Sequence, residues 1–261
     1  MIERAALGFL LAFLVALVAV RARALTRDGG VAAVVVGTIS VAAGWSWAAL
    51  LVVFFVTSSV LSRVRAAARE RITGSVVAKG GARDAVQVLA NGGVFAFAAL
   101  LSLLVPWAGW VPLGAGAIAA STADTWSSEI GTLSRMPPRL ITSWRRVPAG
   151  TSGAVTPLGF AAAVAGALFM ALVARALGWP AGAAVAAFTG GVAGALADSL
   201  LGASFQARRR CPYCDKDTER IVHSCGTTTE AAGGISWLDN DGVNFMSGVA
   251  GAVVALLVAL G

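Results

Sequence analysis

The stretch Ala119-Ala120-Ser121-Thr122-Ala123-Asp124-Thr125-Trp126-Ser127-Ser128-Glu129-Ile130-Gly131 closes an apolar segment that begins near Pro112, and it places two carboxylates inside a run of membrane-spanning length. Read as a helix, Ser121, Asp124, Thr125 and Ser128 recur at i, i+3, i+4 and i+7, with Glu129 one turn beyond Thr125. Such a stripe cannot face lipid, because an ionisable group in a bilayer is costly unless it faces a bundle interior or water. The segment therefore predicts a helix within a membrane bundle, its acids turned toward other helices.

The whole chain agrees. It is 57% hydrophobic and only 13% charged, with a mean hydropathy of +0.80, which excludes an ordinary soluble domain. The net charge of +7 does not point to nucleic acid as a partner, because the bases fill short gaps between apolar runs with no stacking aromatics among them. Runs near 5–20, 29–44, 46–62, 86–105, 112–131, 157–174, 181–204 and 242–260 predict an all-α polytopic bundle of about eight transmembrane helices, one integral membrane domain over 1–261. The first run reads as a mature helix, since Glu3 and Arg4 make a poor signal-peptide start and no clear cleavage site follows. With alternating direction, the loops 21–28, 63–85, 132–156 and 205–241 share one side and hold every Lys and Arg except Arg4 and Arg175. The positive-inside rule makes that side cytoplasmic, in a plasma (inner) membrane, with both termini outside. The oligomeric state is left open.

Alternation also brings Asp124, Glu129, Asp198, Asn91 and the Asp239-Asn240-Asp241-Gly242-Val243-Asn244 stretch to one layer at the cytoplasmic side. Parallel helix-pair repeats fit the same layout: Ala123-Asp124-Thr125 and Ala197-Asp198-Ser199 each close an inward helix, and each of those follows an outward helix opened by a Gly-containing turn. Arg27-Asp28-Gly29-Gly30-Val31 opens a third copy without the acid. Gly191, Gly194, Asp198 and Gly202 share a face suited to close helix packing, so Asp198 is expected inside the bundle. There it is either hydrogen-bonded to a neighbouring Ser or Thr, or shares a metal with Asp124 and Glu129. Three carboxylates beside a basic surface suit Mg²⁺, a hard cation that takes carboxylate and phosphate oxygens. Lys79-Gly80-Gly81-Ala82-Arg83-Asp84, Arg139, Arg145, Arg146 and the Gly150-Thr151-Ser152-Gly153 turn offer cations and N–H donors to phosphates, although such loop bases serve equally as topology or lipid contacts. In the last loop, Cys211, Cys214, His223 and Cys225 either form a closed, structural zinc site or are reduced thiols.

The chain resembles the DUF92 family of integral membrane proteins, which includes transmembrane protein 19 and the plant phytyl-phosphate kinase of vitamin E synthesis. The matching pieces are Asn91-Gly92-Gly93, Ala123 to Gly131, Pro138-Arg139-Leu140-Ile141-Thr142, Val147 to Gly153, Asp198 to Gln206 and Leu238 to Asn244. Ala154 departs from the glycine common after the Gly-Thr-x-Gly turn, and the cysteine loop is not general in the family. The resemblance implies a phosphotransferase that moves a phosphoryl group from CTP or another nucleoside triphosphate to a prenyl monophosphate. On that reading Asp124, Glu129 and Asp198 hold Mg²⁺, with Asp241 a further ligand. Asn91, Asn240 and Asn244 orient phosphates or metal-bound water. Lys79, Gly92, Thr125, Ser128, Arg139, Arg145, Arg146, Gly150, Thr151, Ser152, Gly153 and Ser199 contact nucleotide or phosphate, and the prenyl tail lies between helices. A cytidylyltransferase making a CDP-lipid and a lipid-phosphate or ion transporter are the alternatives.

Overall fold

A computed structural model describes residues 2–78 and 81–261. Among the described residues, eight helices answer to the eight apolar runs: α1 (Ile2–Arg21), α2 (Arg27–Ala43), α3 (Trp45–Thr73), α4 (Ala85–Leu104), α5 (Trp110–Gly131), α6 (Pro157–Ala176), α7 (Ala181–Ser204) and α8 (Asn240–Leu260). Six of these are long and apolar enough to cross a bilayer. The exceptions are α2, with 17 residues, and α5, whose Ser, Thr and acidic stripe dilutes its hydropathy.

The turn after α1, the ends of α3, α5 and α7 and the starts of α4, α6 and α8 line one cavity, so successive helices alternate in direction. The helices that start at this basic end are opened by a common device. Thr26, Asp84, Thr156 and Asp239 lie in extended conformation, and their side chains accept from the N–H of Gly29, Gln87, Gly159 and Gly242 at 3.1, 2.9, 3.0 and 3.0 Å. Each such cap is worth about 1 kcal/mol. By contrast, α3, α5 and α7 follow Gly44, Gly109 and Pro180 with no side-chain cap. The like-capped starts of α2, α4 and α6 fit the parallel helix-pair repeats, and α8 shares the pattern.

The centre of the bundle is α5, which packs on α3, α4, α6, α7 and α8. Its middle, Ala115 to Ala123, is buried and, apart from Ile118, made of small residues. Between helices in lipid, attraction comes mainly from close van der Waals approach, which small side chains permit. Where α5, α7 and α8 cross, Gly116, Gly190 and Gly251 bring backbone against backbone, and a Cβ at Gly190 would overlap the Gly251 carbonyl and lie 2.9 Å from that of Ala255. Away from the basic end, Trp47, Phe95 and Trp179 pack ring on ring at 5.1 and 5.0 Å.

The loops hold more structure than the all-α expectation carries. Helix α3 continues past the apolar run 46–62 to Thr73, since its Ala, Arg and Glu residues favour helix in water as well. In the 132–156 loop, β1 (Arg139–Leu140) pairs antiparallel with β2 (Ala154–Val155). In the last loop, β3 (Arg208–Cys211), β4 (Lys216–Thr218) and β5 (Glu230–Gly233) form an antiparallel sheet in the order β4-β3-β5.

The triple crossing gives a direct test. Gly190→Ala should lower the melting temperature in detergent, by an amount corresponding to roughly 1–3 kcal/mol. Gly182→Ala, also on α7 but with open space where its Cβ would sit, should be neutral or mildly stabilising.

Candidate active site

The cavity at the basic end has a volume of about 540 Å³. From α5 it takes Asp124, Thr125, Ser127, Ser128 and Glu129, from α7 Asp198 and Ser199, from α4 Gln87 and Asn91, and from α8 Asn240 and Asn244. Gly150, Thr151, Ser152 and Gly153 close one side. Their turn depends on Gly150 and Gly153, which adopt φ of 89° and 73°. Gly153 also packs against the backbone of α7 at Ser199 and Ala203, with no space for a Cβ.

Asp124 and Asp198 come from different helices, yet both line this cavity and stand near enough to act on each other's charge. Asp198 Oδ2 is buried with no hydrogen-bond partner among the described residues. Glu129 is buried one turn nearer the helix end, with Oε1 accepting from Ser62 Oγ at 2.7 Å. The backbone of α4 is tied to α5 where Ser121 Oγ donates to Asn91 O at 2.8 Å, and the Asn91 side chain on the cavity wall donates to Gln87 O at 2.9 Å. Neighbouring carboxylates repel, and a cation between them relieves that repulsion. The donors are of the kind a hard divalent ion takes: Asp124 and Asp198 from adjacent helices, an Asp198 oxygen without a hydrogen-bond partner among the described residues, and Glu129 on the same wall.

The cationic lining is not the one expected. Arg139, Arg145 and Arg146 are all exposed and do not line the cavity. Their loop folds on itself, with Arg139 Nη1 donating to Trp144 O at 2.7 Å and Leu140 N to Arg145 O at 2.9 Å. The arginines on the wall are Arg23, Arg63 and Arg83. Arg63 donates to Ala22 O and Arg83 to Ser59 Oγ at 3.5 Å, joining the α1–α2 turn, α3 and the start of α4. Lys79 lies outside the described residues. Asp241 is buried but off the cavity, because Asn240 and Asn244 share one face of α8 and the intervening residue is turned about 100° away. Gly92 lines a neighbouring apolar groove instead.

Glu219, from the last loop, completes the wall. Its Oε1 accepts from Ser152 Oγ at 2.5 Å and Gln206 Nε2 at 2.7 Å, and Oε2 from Ala78 N at 3.4 Å. Burial nonetheless raises its carboxyl above the usual value. Nothing in the local sequence distinguishes Glu219 from a solvated loop acid. Arg23 and Arg63 likewise read as topology signals, and only the folded loops reveal where they point.

Beyond the cavity, the sulfur atoms and one imidazole nitrogen of Cys211, Cys214, His223 and Cys225 all lie within 4.8 Å of one another. Hydrogen bonds with Thr227 and His223 draw the Cys225 thiol down to about 5, while its contact with Cys225 pushes Cys214 up to about 11.

The sequence profile of the family described as integral membrane protein DUF92 matches residues 10–252. The chain belongs to the DUF92 family of integral membrane proteins. Among its relatives, Protein PGR of Arabidopsis thaliana is 33% identical over 90% of this chain and 88% of that protein. An uncharacterized membrane protein of Methanocaldococcus jannaschii is 34% identical over 77% of this chain and 83% of its own. The chloroplastic Protein VTE6 of Arabidopsis thaliana is 30% identical over 90% of this chain and 65% of its own. No solved structure matches the chain significantly.

Because burial raises Glu219, the folded chain keeps this proton where the unfolded chain has released it. Its contribution to stability is therefore greatest near or below the ordinary value of 4.5 and declines as pH rises toward the raised folded value. Glu219→Gln removes that decline. Melting temperatures of the two proteins in detergent should shift in favour of the variant as pH rises from 4.5 to neutrality.

Proposed function

We propose that this DUF92 protein is a Mg²⁺-dependent lipid-phosphate kinase that transfers the terminal phosphoryl of CTP or another nucleoside triphosphate to a prenyl monophosphate at the cytoplasmic leaflet. One observation carries the reading. Arg83, just before α4, and Gln87 and Asn91, one turn apart at its start, line the polar cavity on one side and an apolar groove of about 550 Å³ on the other. The groove is walled by residues such as Leu11, Val15, Val36, Val52 and Phe55 from α1, α2 and α3. A polyanion site sharing a wall with an apolar groove suits an acceptor with a phosphate head and a hydrocarbon tail.

The chemistry asked of the protein is modest. An oxygen of the lipid monophosphate, already ionised near neutral pH, bonds to the terminal phosphorus of the nucleotide. The bond from that phosphorus to the bridging oxygen breaks, and the nucleoside diphosphate leaves. No general base is needed, so catalysis rests on positioning two polyanions and offsetting their repulsion. Arg23, Arg63 and Arg83 supply positive charge, and the starts of α4, α6 and α8 direct their partial positive ends the same way. The 150–153 turn and Asn91, Asn240 and Asn244 would orient phosphate oxygens. Asp124, Asp198 and Glu129 would hold Mg²⁺, which when bound neutralises phosphate charge. Family membership supports this assignment, because the resemblance extends to the plant phytyl-phosphate kinase.

Purified protein given Mg²⁺, CTP and a prenyl monophosphate should yield the prenyl diphosphate and CDP; release of pyrophosphate would instead assign cytidylyl transfer. Asp124→Asn should lower kcat by at least about 10²-fold with the melting temperature retained. An active, folded variant removes the metal role. Ala33→Phe, which fills the groove, should raise KM for a long-chain prenyl phosphate and leave KM for a short-chain alkyl phosphate unchanged.

A further inference from the structure

The loop between α7 and α8 is polar, exposed and too small to bury a core, yet it holds a regular three-stranded sheet. Its exposed strand β5 and mostly exposed turns give it little apolar burial. What it has at its centre is the cluster of three free cysteines and the histidine, with Cys211 fully buried and His223 nearly so.

The spacing of the donor atoms is that of ligands around one ion. Tetrahedral zinc with Zn–S bonds of about 2.3 Å separates neighbouring sulfurs by about 3.8 Å. Cys211 Sγ and Cys225 Sγ are 3.6 Å apart, and His223 Nδ1 is 3.2 Å from Cys225 Sγ. The backbone is arranged for sulfur at the Cys211 end, where the turn after β3 sends Cys214 N–H toward Cys211 Sγ at 3.5 Å. His223 Nε2 is buried without a hydrogen-bond partner among the described residues, so Nδ1 is the nitrogen that faces the sulfurs. Three thiols and one imidazole fill all four positions, which leaves none for substrate.

The two halves of the cluster bracket Thr218, Glu219 and Arg220, and these three grip the segment after α3. Thr218 Oγ1 donates to Ser75 O at 3.0 Å and Val76 O at 3.1 Å, Glu219 N to Val76 O at 2.8 Å, and Arg220 Nε to Val77 O at 3.1 Å. From there Glu219 reaches Ser152 and Gln206 on the cavity wall. We propose that Cys211, Cys214, His223 and Cys225 bind one Zn²⁺ ion, which folds this loop and thereby holds Glu219 against the cavity. The proposal does not depend on which molecule the cavity binds. Glu219 is in this view a positioned residue, and the zinc a clamp some distance from any reacting atom.

The test uses the full-length protein in detergent and needs no activity. Metal analysis should find about one zinc per chain, falling to near zero in Cys211→Ser/Cys214→Ser while the helical bundle stays folded. Chelator-treated wild type should take up Co²⁺ with thiolate-to-metal charge-transfer bands and tetrahedral d–d absorption. Wild type without zinc that shows neither band overturns the site, and so does a double variant that keeps its zinc. If the double variant does not fold, the cobalt spectrum of the wild type decides. For the clamp, hydrogen exchange at 216–223 and 74–78 should rise on chelation while α5 and α7 keep their protection. Loss of zinc with unchanged exchange in those two segments overturns the positioning of Glu219.

Discussion

Everything in this molecule follows from carboxyl groups being kept at the end of a helix bundle whose central crossing, between α5, α7 and α8, is built mainly of alanine and glycine. Asp124 and Asp198 come near each other across α5 and α7 only because the two backbones approach so closely, through Ala119, Ala120, Gly191 and Gly194. Bulkier packing would separate the helices and, with them, the acids. The small-residue core is thus the support of the polar site as well as the means of helix association.

That site also explains the concentration of structure at one end. Acids that repel one another gain from positive potential nearby, and arginine side chains, capped helix starts and glycine turns all supply it there. The opposite end has short connections and packed indole rings. Such one-sidedness suits chemistry at a surface better than passage through the bilayer, because a translocation site would place its polar groups near the midplane.

The bundle was legible in the sequence because hydrophobic run length and basic loops report helix number and direction almost directly. Asp124, Glu129, Asp198, Asn91, Asn240 and Asn244 could be placed together for the same reason: helix ends and alternation are enough to bring them to one layer. The loops were harder. Arg139, Arg145 and Arg146 share their composition with Arg23, Arg63 and Arg83, and only the pairing of β1 with β2 turns the first three outward. Glu219 reaches the cavity through hydrogen bonds to residues more than 140 positions earlier, a relation no local pattern encodes.

The groove beside α4 is bordered by residues that remain exposed along its length, among them Leu11, Val15, Trp45 and Val52. It is a trough with a missing side, not a blind tunnel. A hydrocarbon seated there would never meet a floor; its far end would trail among the surrounding acyl chains. Such an architecture can read the head of an amphiphile closely while staying indifferent to how far the rest extends.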